Sequence, residues 1–119
     1  MIVVTIDQSQ ITVSGHADYA PRGQDIVCAA VSTLVQCLVR ALEVLTPGRV
    51  ECWADTGNAG ITILHPSDET QLLIEAFGIG MADIAAAYPG NVRLVEALTT
   101  VKQGKNSPMH NDDKLLGGF

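Results

Sequence analysis

Aromatic residues are scarce, making up 4% of 119 positions, with one tryptophan, two tyrosines and two phenylalanines. A core therefore has to be assembled from Val, Ile, Leu and Ala, and the 47% apolar content is enough for one packed domain. Basic residues are also few: 7 stand against 13 acidic ones, the formal charge is −6, and Lys and Arg never cluster. That pattern argues against direct binding to nucleic acid or anionic lipid and tolerates a basic protein partner better. No apolar run approaches the roughly 18 residues of a membrane span. The opening MIVVTIDQSQ also lacks the charged-then-apolar plan of a secretory signal, so a cytoplasmic protein without membrane association is expected. The three cysteines, Cys28, Cys37 and Cys52, form neither a CxxC pair nor a zinc-like Cys/His spacing. Reduced thiols are expected, with no metal and no other cofactor.

What is present is alternation and helical periodicity. Ile2, Val4 and Ile6 alternate with Val3, Thr5 and Asp7, turn residues follow in DQSQ, and the alternation resumes through Ile11 and Val13, which predicts a hairpin. After the loop GHADYAPRG, the segment DIVCAAVSTLVQCLVRALEVL runs without Gly or Pro until TPG, which predicts a long helix. VECWAD and GITILH flank TGNAG as a second hairpin. A second helix is expected from Ser67 or Asp68 as N-cap to Pro89-Gly90, with Leu73, Phe77, Met81, Ile84 and Tyr88 on one face. Gly78 and Gly80 in that helix suggest close packing against a neighbour, and NVRLVEALTTV suggests a last strand.

The order ββαββαβ predicts a two-layer α+β domain, a mainly antiparallel sheet with two helices, over residues 1–101. From Lys102 the chain loses periodicity, and 102–119 reads as a loosely ordered C-terminal tail.

Projected at about 100° per residue from Cys28, Val39, Ser32, Glu43, Gln36, Arg40 and Thr33 fall between roughly 20° and 140°, so Cys28 stands at the margin of the polar sector. Cys37 falls at about 180° among apolar residues, where a structural thiol is expected. Some nine residues of helix separate the two by roughly 13 Å, beyond the limit of about 7 Å for a disulfide. With Asp25 as N-cap, Cys28 lies in the first turn, where unpaired N–H groups and the helix dipole favour an anion. A thiolate is the nucleophilic form of cysteine, and His16 at the end of the second strand could act as its base. A buried thiol and an incidental imidazole sharing a loop would show the same spacing. Cys52 and Trp53 alternate on one strand and both read as packing residues.

The stretch GHADYAPRGQDIVCAAVS resembles the signature of the ribosomal-processing cysteine proteases, the Prp family. Its Gly-His-Ala segment is here Gly15-His16-Ala17, and its Asp-Ile-Val-Cys-Ala segment is Asp25-Ile26-Val27-Cys28-Ala29. The resemblance runs to about Val101 and implies a small α+β fold; the tail from Lys102 lies outside the usual family length. It further implies a homodimeric bacterial endopeptidase that removes a short N-terminal extension from a large-subunit ribosomal protein. Phage-associated relatives mature capsid or scaffold proteins by the same chemistry. By this likeness Cys28 is the nucleophile and His16 the general base, and the loop between them is mobile until substrate orders it.

Two supporting residues are expected. Asp25 fits an N-cap, or an acid orienting His16, or both. Ser32, one turn below Cys28, fits either a hydrogen bond to the site or an ordinary helix serine. Backbone N–H groups of the first turn, that of Cys28 included, are the expected oxyanion donors. Asp18, His65 and His110 are given no role. The rival from another class is a non-catalytic dimeric interaction protein.

Overall fold

The computed structural model describes residues 1–21 and 23–96. The proposed boundary at 101 and the tail 102–119 lie outside the described residues. Five strands and two helices follow in the expected order: β1 (Ile2–Ile6), β2 (Gln10–Ser14), α1 (Ile26–Leu45), β3 (Val50–Asp55), β4 (Asn58–Ile63), α2 (Asp68–Ala87) and β5 (Val92–Glu96).

The strands form one sheet in the order β3-β4-β2-β1-β5. Both hairpins are antiparallel, β2 also pairs with β4 antiparallel, and β5 returns parallel to β1 after α2. The alternation of β1 buries Ile2, Val4 and Ile6 on one face, joined by Ile11, Ile61, Ile63 and Val92 from its neighbours. Both helices lie on that face. Val27, Val31, Leu38 and Leu42 are the buried stripe of α1, and Ile74, Phe77 and Met81 belong to that of α2.

Each helix begins where its chemistry allows. Asp25 caps α1, and Ser67 caps α2 in a reciprocal box with Thr70, the first turn of α2 also holding Asp68 and Glu69 at the positive end of the dipole. Gly80 faces Leu34 of α1, whose Cδ1 would stand 3.0 Å from an added Cβ, and Gly78 faces Ile6. Gly80 thus lets α2 approach α1 closely, whereas a Cβ at Gly78 would meet Glu96 and Ile6 at an ordinary contact distance of 3.5 Å, so the expected close packing is found at Gly80 and not at Gly78. As helices, both segments are long and apolar enough by composition to cross a membrane, although neither is an uninterrupted apolar run. Here one stripe of each is spent on the sheet of the same chain.

Two expectations about packing are corrected. Cys37 is exposed, because the apolar sector of α1 is wider than the strip that the sheet and α2 cover. Cys52 is exposed because β3 is the edge strand, of which only Val50 is partly buried. Trp53, on the opposite face, is 51% exposed, and its indole lies flat over Gly60, where a Cβ would overlap the ring.

Candidate active site

β2 delivers His16 through a glycine that no other residue can replace without strain. Gly15 has φ +94°, and a Cβ there would overlap the carbonyl oxygen of Met1. The Gly15 N–H donates to the carbonyl of Gly57 at 2.7 Å, tying the end of β2 to the β3–β4 turn. The exposed His16 ring then rests on Gly57, its Nε2 3.0 Å from the point a Cβ would occupy. Gly57 itself has φ +77°, so backbone conformation and the imidazole both select glycine there.

The following loop is stapled at several points. Ala17 is buried and its carbonyl accepts from Asn91 Nδ2 at 2.8 Å. Asp18 adopts φ +55° and lies 3.6 Å from the amino group of Met1. The Tyr19 ring meets that of Tyr88 edge to face, with centroids 5.4 Å apart.

Asp25 gathers the far end of the loop. Its Oδ1 accepts the Cys28 N–H at 2.9 Å, and its Oδ2 accepts those of Tyr19 at 3.0 Å and Ala20 at 3.4 Å. The Cys28 N–H foremost, helped by those of Tyr19, Ala20 and Val27 and opposed by burial, holds the Asp25 carboxyl below its ordinary value. The N-cap role of Asp25 is therefore present, with an added role as the loop's fastening. Among the described residues its carboxylate makes no hydrogen bond to His16, so the orienting role has no counterpart. The Cys28 N–H is already committed to Asp25, and the Ala29 N–H donates to the Asp25 carbonyl at 3.1 Å. The Cys28 N–H, one of the candidate oxyanion donors, is thus taken up by the capping carboxylate in this structure.

Cys28 is half-buried in the first turn of α1 and packs against the core. His16 and Cys28 stand at the two ends of one loop, and no hydrogen bond joins them among the described residues. Ser32 is exposed and makes no hydrogen bond to the site among those residues; the neighbouring Thr33 hydroxyl donates to the Ala29 carbonyl at 2.8 Å. His65 is exposed beyond β4, and His110 lies outside the described residues. Burial first, and the charge of Glu43 second, push the Cys52 thiol up from its ordinary value. Among the described residues no group of three or more His, Cys, Asp or Glu is placed to hold a metal ion.

The chemistry available is that of a thiol at a helix N-terminus with an imidazole within one loop's reach. Residues 1–93 match the family model described as cysteine protease Prp. The ribosomal processing cysteine protease Prp of Staphylococcus aureus is 32% identical over 103 residues, spanning 79% of this chain and 97% of its own. The protein of that name from Bacillus subtilis is 32% identical over 109 residues, spanning 79% and 96%. Among solved structures, the S. aureus protease with a covalently linked product peptide superposes with a TM-score of 0.75 at 30% identity, covering 81% of this chain and 99% of that one. SMU.848 from Streptococcus mutans gives 0.67 at 34% identity, covering 81% and 95%. This chain belongs to the Prp family of cysteine proteases.

Proposed function

We propose that this chain is an endopeptidase that removes a short N-terminal extension from a large-subunit ribosomal protein, with Cys28 as nucleophile and His16 as general base. The single observation that supports the assignment best is the placement of Cys28 in the first turn of α1, capped by Asp25, with His16 at the other end of the same stapled loop. His16 takes the thiol proton, and the Cys28 sulfur attacks the scissile carbonyl carbon to give a tetrahedral oxyanion. Collapse expels the new N-terminal amine, which receives the proton from the imidazolium, and leaves a thioester. Water, deprotonated by His16, hydrolyses the thioester and restores the thiol. The relatives named for ribosomal processing, and the solved relative carrying a product peptide, support the substrate class. The net charge of −6 suits a basic ribosomal protein.

The test is to incubate the protein with ribosomal and phage structural precursors from the same genome and map new N-termini by mass spectrometry. One new terminus near the start of a ribosomal precursor, absent with Cys28→Ala, is the expected result. Cleavage of a phage capsid or scaffold precursor alone would move the substrate, and no cleavage of any precursor would favour a non-catalytic protein.

A homodimer working in the cytoplasm goes with this proposal. Ile26, Val44 and Leu45 of α1 and Leu72 and Ile79 of α2 are exposed, more apolar surface than a small monomer usually leaves in water. Sedimentation at micromolar concentration should give twice 12.6 kDa; a single 12.6 kDa species would remove the dimer.

A further inference from the structure

The outer edge of β3 pairs with no strand among the described residues. Beyond the far end of the β3–β4 ladder, the Leu64 N–H donates to the Arg49 carbonyl at 2.9 Å, in register with the pairs Val50↔Ile63 through Asp55↔Asn58. Hydrogen-bonded pairs recur at every second residue of an antiparallel ladder. The backbone groups of Glu51, Trp53 and Asp55 therefore point to β4, and those of Val50, Cys52 and Ala54 point outward. β3 ends the sheet, so no strand among the described residues takes them up. The strand is exposed on both faces from Glu51 to Asp55. Its C-terminal end runs directly into the turn at Gly57 on which His16 rests. The open edge is thus continuous with the candidate catalytic site.

Building on the endopeptidase assignment above, we propose that β3 is the docking strand for the substrate: an extended stretch of substrate adds to its free edge as a sixth strand, pairing with the N–H and C=O groups of Cys52 and Ala54. Addition of a strand to an exposed edge takes its affinity from backbone hydrogen bonds and its selectivity from alternate side chains. On the helix side, Cys52 and Ala54 are small and uncovered, which leaves room for bulky apolar side chains at every second substrate position. On the outer side the Trp53 ring covers Gly60 of β4, and the exposed Glu51 and Asp55 that flank it suit Lys or Arg at the intervening positions. The substrate class is therefore an extended peptide that alternates apolar and basic residues beside its cleavage site.

The experiment measures cleavage of a precursor-derived peptide by the full chain and by Ala54→Pro, together with a backbone N-methyl scan of the peptide. Proline at 54 removes an outward N–H and leaves the groups that bond to β4 in place. It should raise KM about three- to tenfold, the worth of one such hydrogen bond, while alkylation of Cys28 by iodoacetamide keeps its rate. N-methylation should raise KM at alternate peptide positions only, a signature that does not depend on how the variant folds. Uniform tolerance of N-methylation, with wild-type cleavage intact, would overturn strand addition and leave the protease assignment standing. If Ala54→Pro instead turned a dimer into a monomer, the edge would belong to a second copy of the chain. Failure of the wild type to cleave or bind the peptide would remove the assignment and the docking strand with it.

Discussion

One carboxylate joins the loop between His16 and Cys28 to the helix that follows it: Asp25 Oδ1 accepts the Cys28 N–H at 2.9 Å while its Oδ2 accepts the Tyr19 N–H at 3.0 Å. The turn of helix that carries the thiol is thereby held to the segment that follows the histidine. A side chain that caps α1 also sets the resting position of the loop.

Because these N–H groups hold the Asp25 carboxyl below its ordinary 3.8, the ionised form is favoured by folding. Its contribution is complete above the ordinary value and is lost as pH falls through the lowered one. Hydrogen exchange at the amides of Tyr19, Ala20 and Cys28 should therefore accelerate together, relative to the core, on acidification into that range. Asp25→Asn should show the faster exchange already at neutral pH; an unchanged pattern would detach the loop from Asp25.

Cys28→Ala and Cys28→Ser should abolish cleavage and leave the melting temperature nearly unchanged, since Cys28 is only half-buried. Cys37→Ser, at an exposed position, should remain active and shift stability by no more than about 0.5 kcal/mol. Parallel thermal melts and cleavage assays check both. Equal losses of activity and stability in the Cys28 and Cys37 variants would mark Cys28 as a packing residue.

Iodoacetamide should modify Cys28 fastest near neutral pH, because a helix N-terminus stabilises the thiolate. Cys52 should react slowly despite its exposure, since burial and then the Glu43 charge push its thiol up, and its rate should climb at higher pH and rise with Glu43→Gln. His16→Ala should slow Cys28 only partly, the helix terminus being untouched. Peptide mapping of the alkylated protein distinguishes the three sites, and Cys28 as the slowest thiol with and without substrate would end its assignment as nucleophile.

Gly57→Ala and Gly23→Ala form a matched pair. Both glycines have positive φ, +77° and +87°, and each substitution should cost about 1–2 kcal/mol of backbone strain. At Gly57 the new Cβ also meets His16 Nε2 at 3.0 Å, whereas at Gly23 nothing among the described residues lies within 4 Å. Gly57→Ala should therefore lower kcat/KM by a further ten- to hundredfold or so through misplacing the imidazole. Equal activity in the two variants would mean that His16 does not work from the position above Gly57.

Much of the fold is legible in the sequence. The period of two in Ile2, Val4, Ile6 and Ile11 named the buried face of two strands, since alternate side chains of a strand point the same way. Asp25 and Ser67 were readable as N-caps because a short polar side chain before an apolar periodic run has a local job that needs no tertiary partner. Gly80 was readable as a close-contact position, though its neighbour Leu34 was not, and Gly78, read in the same way, has only ordinary contacts.

The sequence by itself determined the elements, their caps and the loop that links His16 to Cys28, because these depend on residues close along the chain. Tertiary structure alone decided which apolar faces are covered. Cys37 lies on an apolar sector that nothing among the described residues covers, and Cys52 keeps the strand's alternation but sits on the edge strand of the order β3-β4-β2-β1-β5. It also decided that the second carboxylate oxygen of Asp25 takes the Tyr19 and Ala20 N–H groups of the loop, and that the imidazole comes to rest on Gly57, a residue some forty positions away. The physical reason is the same in each case: periodicity reports the direction in which a side chain leaves its own backbone, whereas coverage and long-range contact depend on where other segments pack.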